Sequence, residues 1–507
     1  MRYRGITSFG LVAASLLVPV TAFFRMGCPG SIVRERADPI VSPGKASGHV
    51  HTISGGSGFG FEMSYEDAIN SACTSCSIKE DLSNYWVPSL YFHAKNGSFI
   101  NVPQSGDGTG HEAGILIYYL QRGGPDNDKL HAFPKGFRML AGDPSKRSFG
   151  NDLASKAVTY ACLGAEKPET NNFPPYKCGQ MRTQIFFPSC WDGVNLDSPD
   201  HKSHMSYPAS NDYNNGRCPP THPVHMVSLF YEVYYDTGVF DGLWDGDKQP
   251  FVLSNGDATG YGFHGDFVNG WDVDVLQRAI DTCNSVSGEL RDCNAFTLQS
   301  NDDANNCKLP RMIDEEIEGV LDALPGCNPV SNGPGVVKPV ANCPQPEIGF
   351  AESFFTDITV TKQWMYAGCG TDDNGDRTLQ GADTRKPDMT VEKCIDFCSG
   401  KGFRIAGLEY GNECYCGNSV AEDRKPKAGV LGNCQMKCLG DDGEICGGAR
   451  ALSIYEQCNA GNCQNVEFSG AMNTTTATSS DSQTIGQSKK RMADLSVHKH
   501  GVHGSRF

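Results

Sequence analysis

Beyond the first two dozen residues, no stretch of the sequence offers the ~18 consecutive apolar residues that a bilayer-spanning helix requires. A membrane-anchored sensor is therefore not expected. Positive charge is also scarce: 43 Lys and Arg face 59 Asp and Glu, for a net charge of −16. Such a surface repels a phosphate backbone, so nucleic acid is set aside as a partner. The H-E-x-x-H spacing of a zinc protease is missing. The Gly-rich run Ser54-Gly-Gly-Ser-Gly-Phe-Gly60 lacks the following lysine and hydroxyl of a phosphate loop, so it reads as a flexible loop. Gly504-Ser505-Arg506-Phe507 ends the sequence without a hydrophobic tail, so no lipid-anchor signal is expected.

What is abundant is cysteine, with 22 residues, alongside 58 glycines and 28 prolines. An even cysteine count with no convincing zinc spacing points to disulfides and an oxidising compartment. Glycine and proline at these levels favour short strands and turns over long helices. Arg2 and Arg4 precede an apolar stretch, Leu11 to Val20, that closes on Val20-Thr21-Ala22. This is the pattern of a secretory leader, 1–22, cleaved after Ala22. The mature protein is expected outside the cell or associated with the cell wall. Asn96-Gly-Ser98 and Asn473-Thr-Thr475 are N-glycosylation acceptors that fit that compartment.

From 23 to 330 the cysteines are sparse, and this unit must build its own core. Ile115 to Leu120, Thr183 to Phe187 and Val224 to Tyr235 are rich in β-branched and aromatic residues and are separated by turn clusters. The expectation is a mainly β fold, a β-sandwich or jelly roll with few helices. Helical patterns cover Asp272 to Cys283 and Arg311 to Leu324. The segment 331–361 turns to Pro, Gly, Asn and Val and reads as a linker. A cysteine-dense module follows at 362–458, and 459–507 is a Ser/Thr-rich tail with a tribasic Lys489-Lys490-Arg491, an open candidate for protease cleavage, and His498, His500 and His503.

The module's framework is Cys369, Cys394, Cys398, Cys414, Cys416, Cys434, Cys438 and Cys446, whose pairing spacing alone leaves open among 105 possibilities. Thr390 suits a helix N-cap with Glu392 in the first turn, which puts Cys394 and Cys398 on one face. The segments Tyr366-Ala-Gly-Cys-Gly370, Met389 to Cys398, Ala406 to Asn418 and Cys438 to Gly448, closing on Leu452-Ser-Ile-Tyr455, resemble the WSC domain of fungal cell-wall integrity and stress-response sensors. The resemblance implies a small, disulfide-rich α+β extracellular module that binds cell-wall polysaccharide, with β-glucan-like chains as the usual ligand. Glycans present apolar C–H faces to aromatic rings, which makes Trp364, Tyr366, Tyr410 and Tyr455 the candidate platforms. Tyr415, wedged between two cysteines, reads as structural.

The N-terminal unit gathers histidines in three neighbourhoods: His49-Val-His51; Trp191 to His204, with Asp192, Asp197, Asp200, His201 and His204; and His222-Pro-Val-His225. His264-Gly-Asp266 adds a further pair. On a strand, His49 and His51 project from one face. The candidate catalytic set is His49, His51, Asp192, His201, His204, His225, His264 and Asp266. Such a mixture can ligate zinc or copper, so a divalent metal is an open cofactor, or it can supply general acid and base groups. Arg36 to Lys45 with Gly48-His-Val-His51, Trp86 to Tyr91, Gly136 to Gly142, Phe187 to Gly193, Asn195 to His204, His222 to His225 and Gly262 to Asp266 resemble an uncharacterised domain of secreted fungal proteins that often precedes WSC modules. That resemblance carries no catalytic assignment. Two readings stay open: a carbohydrate-active enzyme, hydrolase or lyase, tethered to its insoluble substrate, or a non-catalytic structural wall protein with two binding modules.

Overall fold

The computed structural model describes residues 22–105, 114–209, 212–335, 340, 343–349, 355–373, 375–426, 432–459 and 463–466. The expected leader up to residue 21, Asn473, the tribasic site and the terminal histidines lie outside the described residues. The chain forms two units, Met1–Ala471 and Met472–Phe507, and the second falls wholly outside the described residues. The fold is mainly β, with 29% of residues in strands and 11% in helices.

Period-two patterning builds the first sheet of the N-terminal domain. In Phe23–Cys28 the side chains of Phe24, Met26 and Cys28 are buried while their neighbours are partly exposed, which fits a strand with one covered face. This strand opens a five-stranded antiparallel sheet that continues through Ile115–Leu120, Ser228–Tyr235, Gln180–Phe186 and Val158–Leu163. A second antiparallel sheet runs Val33–Glu35, His51–Gly55, Asn84–Pro88, His264–Val268 and Arg138–Gly142. One face of the second sheet, with Tyr85, Val87, Phe267, Met139 and Ala141, packs on Ile117, Tyr119, Ile185, Tyr231 and Val233 of the first. Hydrogen bonds cross the sandwich, from Trp271 Nε1 to Tyr119 Oη at 2.7 Å and from Tyr231 Oη to the Asp266 carbonyl at 2.9 Å.

The second sheet is buried on its other face as well, by a smaller cluster of Ile32, Ala37, Ile40, Phe59, Met63 and Ala68 over Ile53, Trp86, Leu140 and Val268. Strands covered on both faces read as unbroken burial, and all five residues of His51–Gly55, Asn84–Pro88 and His264–Val268 are buried.

Two sequence expectations change. Residues 311–324 form no helix; the segment ends in the short strand Val320–Leu321. Long-range partners override its helical pattern: Met312 N–H donates to Glu35, Glu315 pairs with Arg36, and Ile313 bridges to Ile348. The glycine run after Ser54 is packed rather than loose. A Cβ at Gly55, Gly56 or Gly58 would stand 1.9, 2.5 or 1.9 Å from a backbone carbonyl oxygen. These glycines permit close backbone approach. The expected helix at 272–283 forms as Val273–Thr282, capped by Asp272.

The C-terminal module is a five-stranded antiparallel sheet, ordered Trp364–Thr371, Ala451–Gln457, Ile405–Glu409, Glu413–Gly417 and Ala382–Arg385. The helix Val391–Gly400, capped by Thr390, is tied to the sheet by Cys394–Cys414 and Cys398–Cys416. Cys369–Cys434 and Cys438–Cys446 complete the framework. The other cysteines pair as 28–76, 73–307, 162–178, 190–218, 283–293, 327–343 and 458–463, so no cysteine is free. Cys327–Cys343 and the bridge of Ser331 to Asp257 attach part of the segment read as a linker to the N-terminal domain.

Candidate functional site

Strand register brings distant histidines together. His51 pairs with Pro88 on one side of the second sheet, and His264 pairs with Gly142 on the other. The loop that leaves Glu35 crosses this face and returns through His49. One ligand atom from each of His49, His51 and His264 lies within 4.8 Å of the others. His51 and His264 are buried, and His49 is partly exposed.

Main-chain carbonyls fix two of the three tautomers. His51 Nδ1 lies 3.0 Å from the Ala37 oxygen and His264 Nδ1 lies 2.9 Å from the Gly262 oxygen. A carbonyl only accepts, so these nitrogens carry the protons and leave lone pairs on both Nε2 atoms. His264 Nε2 faces His49 Nε2 at 3.0 Å, and His51 Nε2 is buried with no hydrogen-bond partner. Burial holds the imidazolium forms down: His51 titrates at about 4, His264 at about 3, and His49 well below its usual value. The cluster is neutral at pH 7.

Asp266 lies two residues beyond His264 on the same strand face. Both of its carboxylate oxygens are buried without a hydrogen bond, and burial pushes its titration far upward. Trp86 Nε1, across the register from Asp266, is likewise buried and unpartnered. Asp38 accepts from the Ile40 and Val41 N–H groups, and its charge acts on both His264 and Asp266. Asp38 was not singled out from the sequence, although it sits in the Arg36 to Lys45 segment that carries the family resemblance. Beside the cluster, Lys202 Nζ donates to the Gly142 carbonyl at 2.6 Å. A cleft of about 210 Å³ opens there, lined by Gly142, Asp143, Lys146, Asn171, Lys202 and Tyr261.

The remaining candidates lie outside this cluster, each with its own hydrogen-bond partners. Asp192 accepts from Val194 N–H, Asn195 N–H and the Asn195 amide, so its oxygens hold a turn. Asp197 orients His201 at 2.8 Å. Asp200 caps the backbone of Lys202 and Ser203, and these bonds hold its carboxyl far below the usual range. His204 is saturated by Ser198 Oγ and the Arg138 carbonyl, both at 2.9 Å. His225 approaches Asp128 at 3.3 Å and sits beside Cys190 and Cys218, whose sulfurs are joined in a disulfide and lack the thiolate a metal needs.

In the C-terminal module the four ring candidates separate sharply. Trp364, Tyr366 and Tyr455 are at most 2% exposed. Tyr366 stacks on Phe355 at 4.9 Å, and the Tyr455 hydroxyl accepts from Thr356 N–H. The three rings belong to the small core of the module. Tyr410 is 58% exposed at the tip of the hairpin joining Ile405–Glu409 to Glu413–Gly417. Its φ of 53° is rare for a non-glycine residue and turns the ring outward with Gly411. The tip is anchored by Gly411 N–H to the Cys446 carbonyl at 3.0 Å and by Leu439 N–H to the Gly411 carbonyl at 2.9 Å. Leu439, 61% exposed, extends the apolar surface. Asn96, the glycosylation acceptor within the described residues, is exposed on a turn.

A charged cluster lies at the base of this hairpin. Arg377 donates to Asp372 and Glu409, each at 2.6 Å, and stands 4.6 Å over the Tyr415 ring. Burial and the neighbouring Asp372 raise Glu409 to about 7, while backbone and Arg377 hydrogen bonds keep Asp372 low. A carboxyl raised from 4.5 to about 7 on folding binds more protons folded than unfolded. Its stabilising contribution is complete below pH 4.5 and is lost as pH rises through about 7. In calorimetry of the full chain, the module's transition is expected to fall between pH 5 and pH 8. Glu409→Gln, which mimics the protonated form, should flatten that fall; an identical fall in the variant would refute the assignment.

Comparison with known proteins agrees with this architecture. A domain of unknown function (DUF1996) matches residues 38–271, and the WSC domain matches residues 366–448. Kremen protein 2 of Mus musculus is 34% identical over 110 residues, 22% of this chain and 23% of its own length. A WSC domain-containing protein of Arthroderma benhamiae is 38% identical over 96 residues, 18% of this chain and 10% of that protein. Xylosyltransferase oxt of Drosophila melanogaster is 41% identical over 92 residues, covering 18% and 10%. The chain thus spans a quarter or less of the length of these relatives. The DUF1996 model thus matches the part that holds the imidazole cluster, and the WSC model matches the part that holds the disulfide-framed hairpin.

Proposed function

We propose that the protein is exported and binds cell-wall polysaccharide of the β-glucan type through its WSC module, with the N-terminal domain, 23–330, binding or acting on the same glycan. The observation that carries this reading is Tyr410: a large ring held in solvent on a hairpin tip that disulfide-anchored loops keep in place. A preorganised ring gives a sugar face a stacking partner at little entropic cost. Neighbouring Leu439 widens the apolar strip, and Asn412 lies in the same turn for hydroxyl contacts. Eleven disulfides suit an oxidising compartment, and among the described residues no helix is long and apolar enough to cross a membrane. Within the N-terminal domain, Asp192, Asp197 and Asp200 are engaged in turns, which favours glycan binding over hydrolysis by a carboxylate pair drawn from them.

The test is sedimentation of the full chain with insoluble β-1,3-glucan, chitin and cellulose, scored as the fraction bound. Tyr410→Ala is expected to weaken glucan retention about tenfold, which corresponds to ~1.4 kcal/mol, without moving the melting temperature. Trp364→Phe, in the core, should leave retention intact in the protein that folds. Equal retention by Tyr410→Ala and the parent would overturn the assignment of the site, and no retention on any polymer would overturn wall binding. Soluble reducing ends or unsaturated sugars released during the same incubation would separate turnover from binding.

A further inference from the structure

We propose that His49, His51 and His264 bind one divalent transition-metal ion of the zinc–copper class through three imidazole nitrogens, at a site on the covered face of the second sheet. The inference is independent of the glycan reading. Three observations carry it.

The first is convergence. Ligand atoms from two strands and the covering loop, more than 200 residues apart in sequence, gather within 4.8 Å of one another. Two imidazole nitrogens on one tetrahedral zinc, each bonded at about 2.0–2.1 Å, stand about 3.3–3.4 Å apart. The His49–His264 separation of 3.0 Å lies within a few tenths of an ångström of that spacing.

The second is orientation. Metal-binding imidazoles characteristically donate their far N–H to a carbonyl or carboxylate, which fixes the tautomer and aims the lone pair. Ala37 and Gly262 supply such carbonyls to His51 and His264. Backbone atoms set this arrangement, so it does not depend on mobile side chains.

The third is unmet demand. His204, by contrast, has both ring nitrogens engaged at 2.9 Å. Here His51 Nε2 and both Asp266 oxygens are buried with no partner. Leaving such groups unpaired costs folding free energy. A cation among the three nitrogens pairs with the His51 lone pair, and the Asp266 carboxyl lies one pleat away, ~7 Å along the same strand. Imidazole donors suit zinc and copper, whereas calcium and magnesium require oxygen ligands. Three protein ligands leave a position for water or a substrate oxygen, as in catalytic rather than structural zinc sites. His49, the partly exposed ligand, marks the side from which that position is reached.

The test uses the full secreted chain, stripped with a chelator, dialysed, and titrated separately with ZnCl₂ and CuCl₂ by calorimetry, with metal content measured on the recovered protein. One ion per chain is expected, together with a rise in melting temperature on loading. Loss of one imidazole, in His49→Ala or His51→Ala, should weaken binding about 100-fold or more, extrapolating from the 10- to 100-fold cost of changing outer-shell partners. His222→Ala, at a partly exposed position outside the cluster, should bind as the parent does. His498→Ala/His500→Ala/His503→Ala removes the competing tail histidines and should leave the tight site intact. If the inward-facing variants fail to fold, the Cu(II) paramagnetic resonance spectrum of the parent decides, with coupling to three equivalent-type nitrogens expected. The proposal is overturned if the stripped parent binds neither ion stoichiometrically, if binding disappears with the tail histidines alone, or if the copper spectrum shows fewer than three nitrogen ligands.

Discussion

Removing the disulfide between Cys73 and Cys307, as Cys73→Ala/Cys307→Ala, is expected to destabilise the N-terminal domain by about 5 kcal/mol. The bond closes a loop of 234 residues, the longest of the eleven, and the entropy withheld from the unfolded chain grows with the logarithm of that length. Both half-cystines belong to the small core over the second sheet, so the bond also clamps the layer that covers the imidazole cluster. Domains of this size are stable by about 5–15 kcal/mol, so the loss should leave the variant partly unfolded at 37 °C. Cys394→Ala/Cys414→Ala opens a loop of 20 residues and should cost the WSC module about 3 kcal/mol. Urea denaturation of each variant, read by intrinsic fluorescence and by resistance to proteolysis, measures both losses. A smaller loss for the 73–307 pair than for the 394–414 pair would show that native-state packing, not loop entropy, governs these bonds.

Gly55→Ala is expected to cost about 2–5 kcal/mol, through a left-handed conformation worth ~1–2 kcal/mol and overpacking of ~1–3 kcal/mol. Gly55 has φ of 112°, and a Cβ there would stand 1.9 Å from the Ser83 carbonyl oxygen, a backbone atom that can yield only by parting two strands. The strand it ends carries His51, so the same change should disturb the imidazole cluster. Gly97 provides the control. Its φ is 92° but nothing lies within 4 Å of its Cβ position, so Gly97→Ala should cost only the conformational part, ~1–2 kcal/mol. Equal midpoints for the two variants in thermal unfolding would remove the steric argument and leave only backbone strain.

Local chemistry made much of the fold legible. Thr390 accepts from Lys393 N–H as an N-cap should, and the helix it starts places Cys394 and Cys398 on one face, each bonded to the same hairpin strand. Asp272 likewise starts the helix expected there. The stretch from Val224 to Tyr235 is extended, as its β-branched and aromatic content indicates, with a break at Met226 and Val227. Where the reading failed, a distant partner intervened: the acidic segment after Arg311 is held by Glu35 and Arg36, nearly 280 residues away, against its own helical pattern.

The candidate site shows the same division. Strand alternation links His49 and His51 in the sequence, yet His49 stands in the loop just before the strand, and neither proximity to His264 nor the separation from His204 and His225 follows from spacing. The aromatic candidates were alike in sequence, and only packing distinguishes Tyr410 in solvent from Trp364, Tyr366 and Tyr455 in the core.

By itself the sequence determined an oxidised, β-rich chain with two folded parts, because cysteine number, charge and residue periodicity act over a few neighbours and need no partner. Tertiary structure alone decided which cysteines pair, which rings reach solvent and which imidazoles meet, because each depends on strand register between segments that the chain brings together only after it has folded.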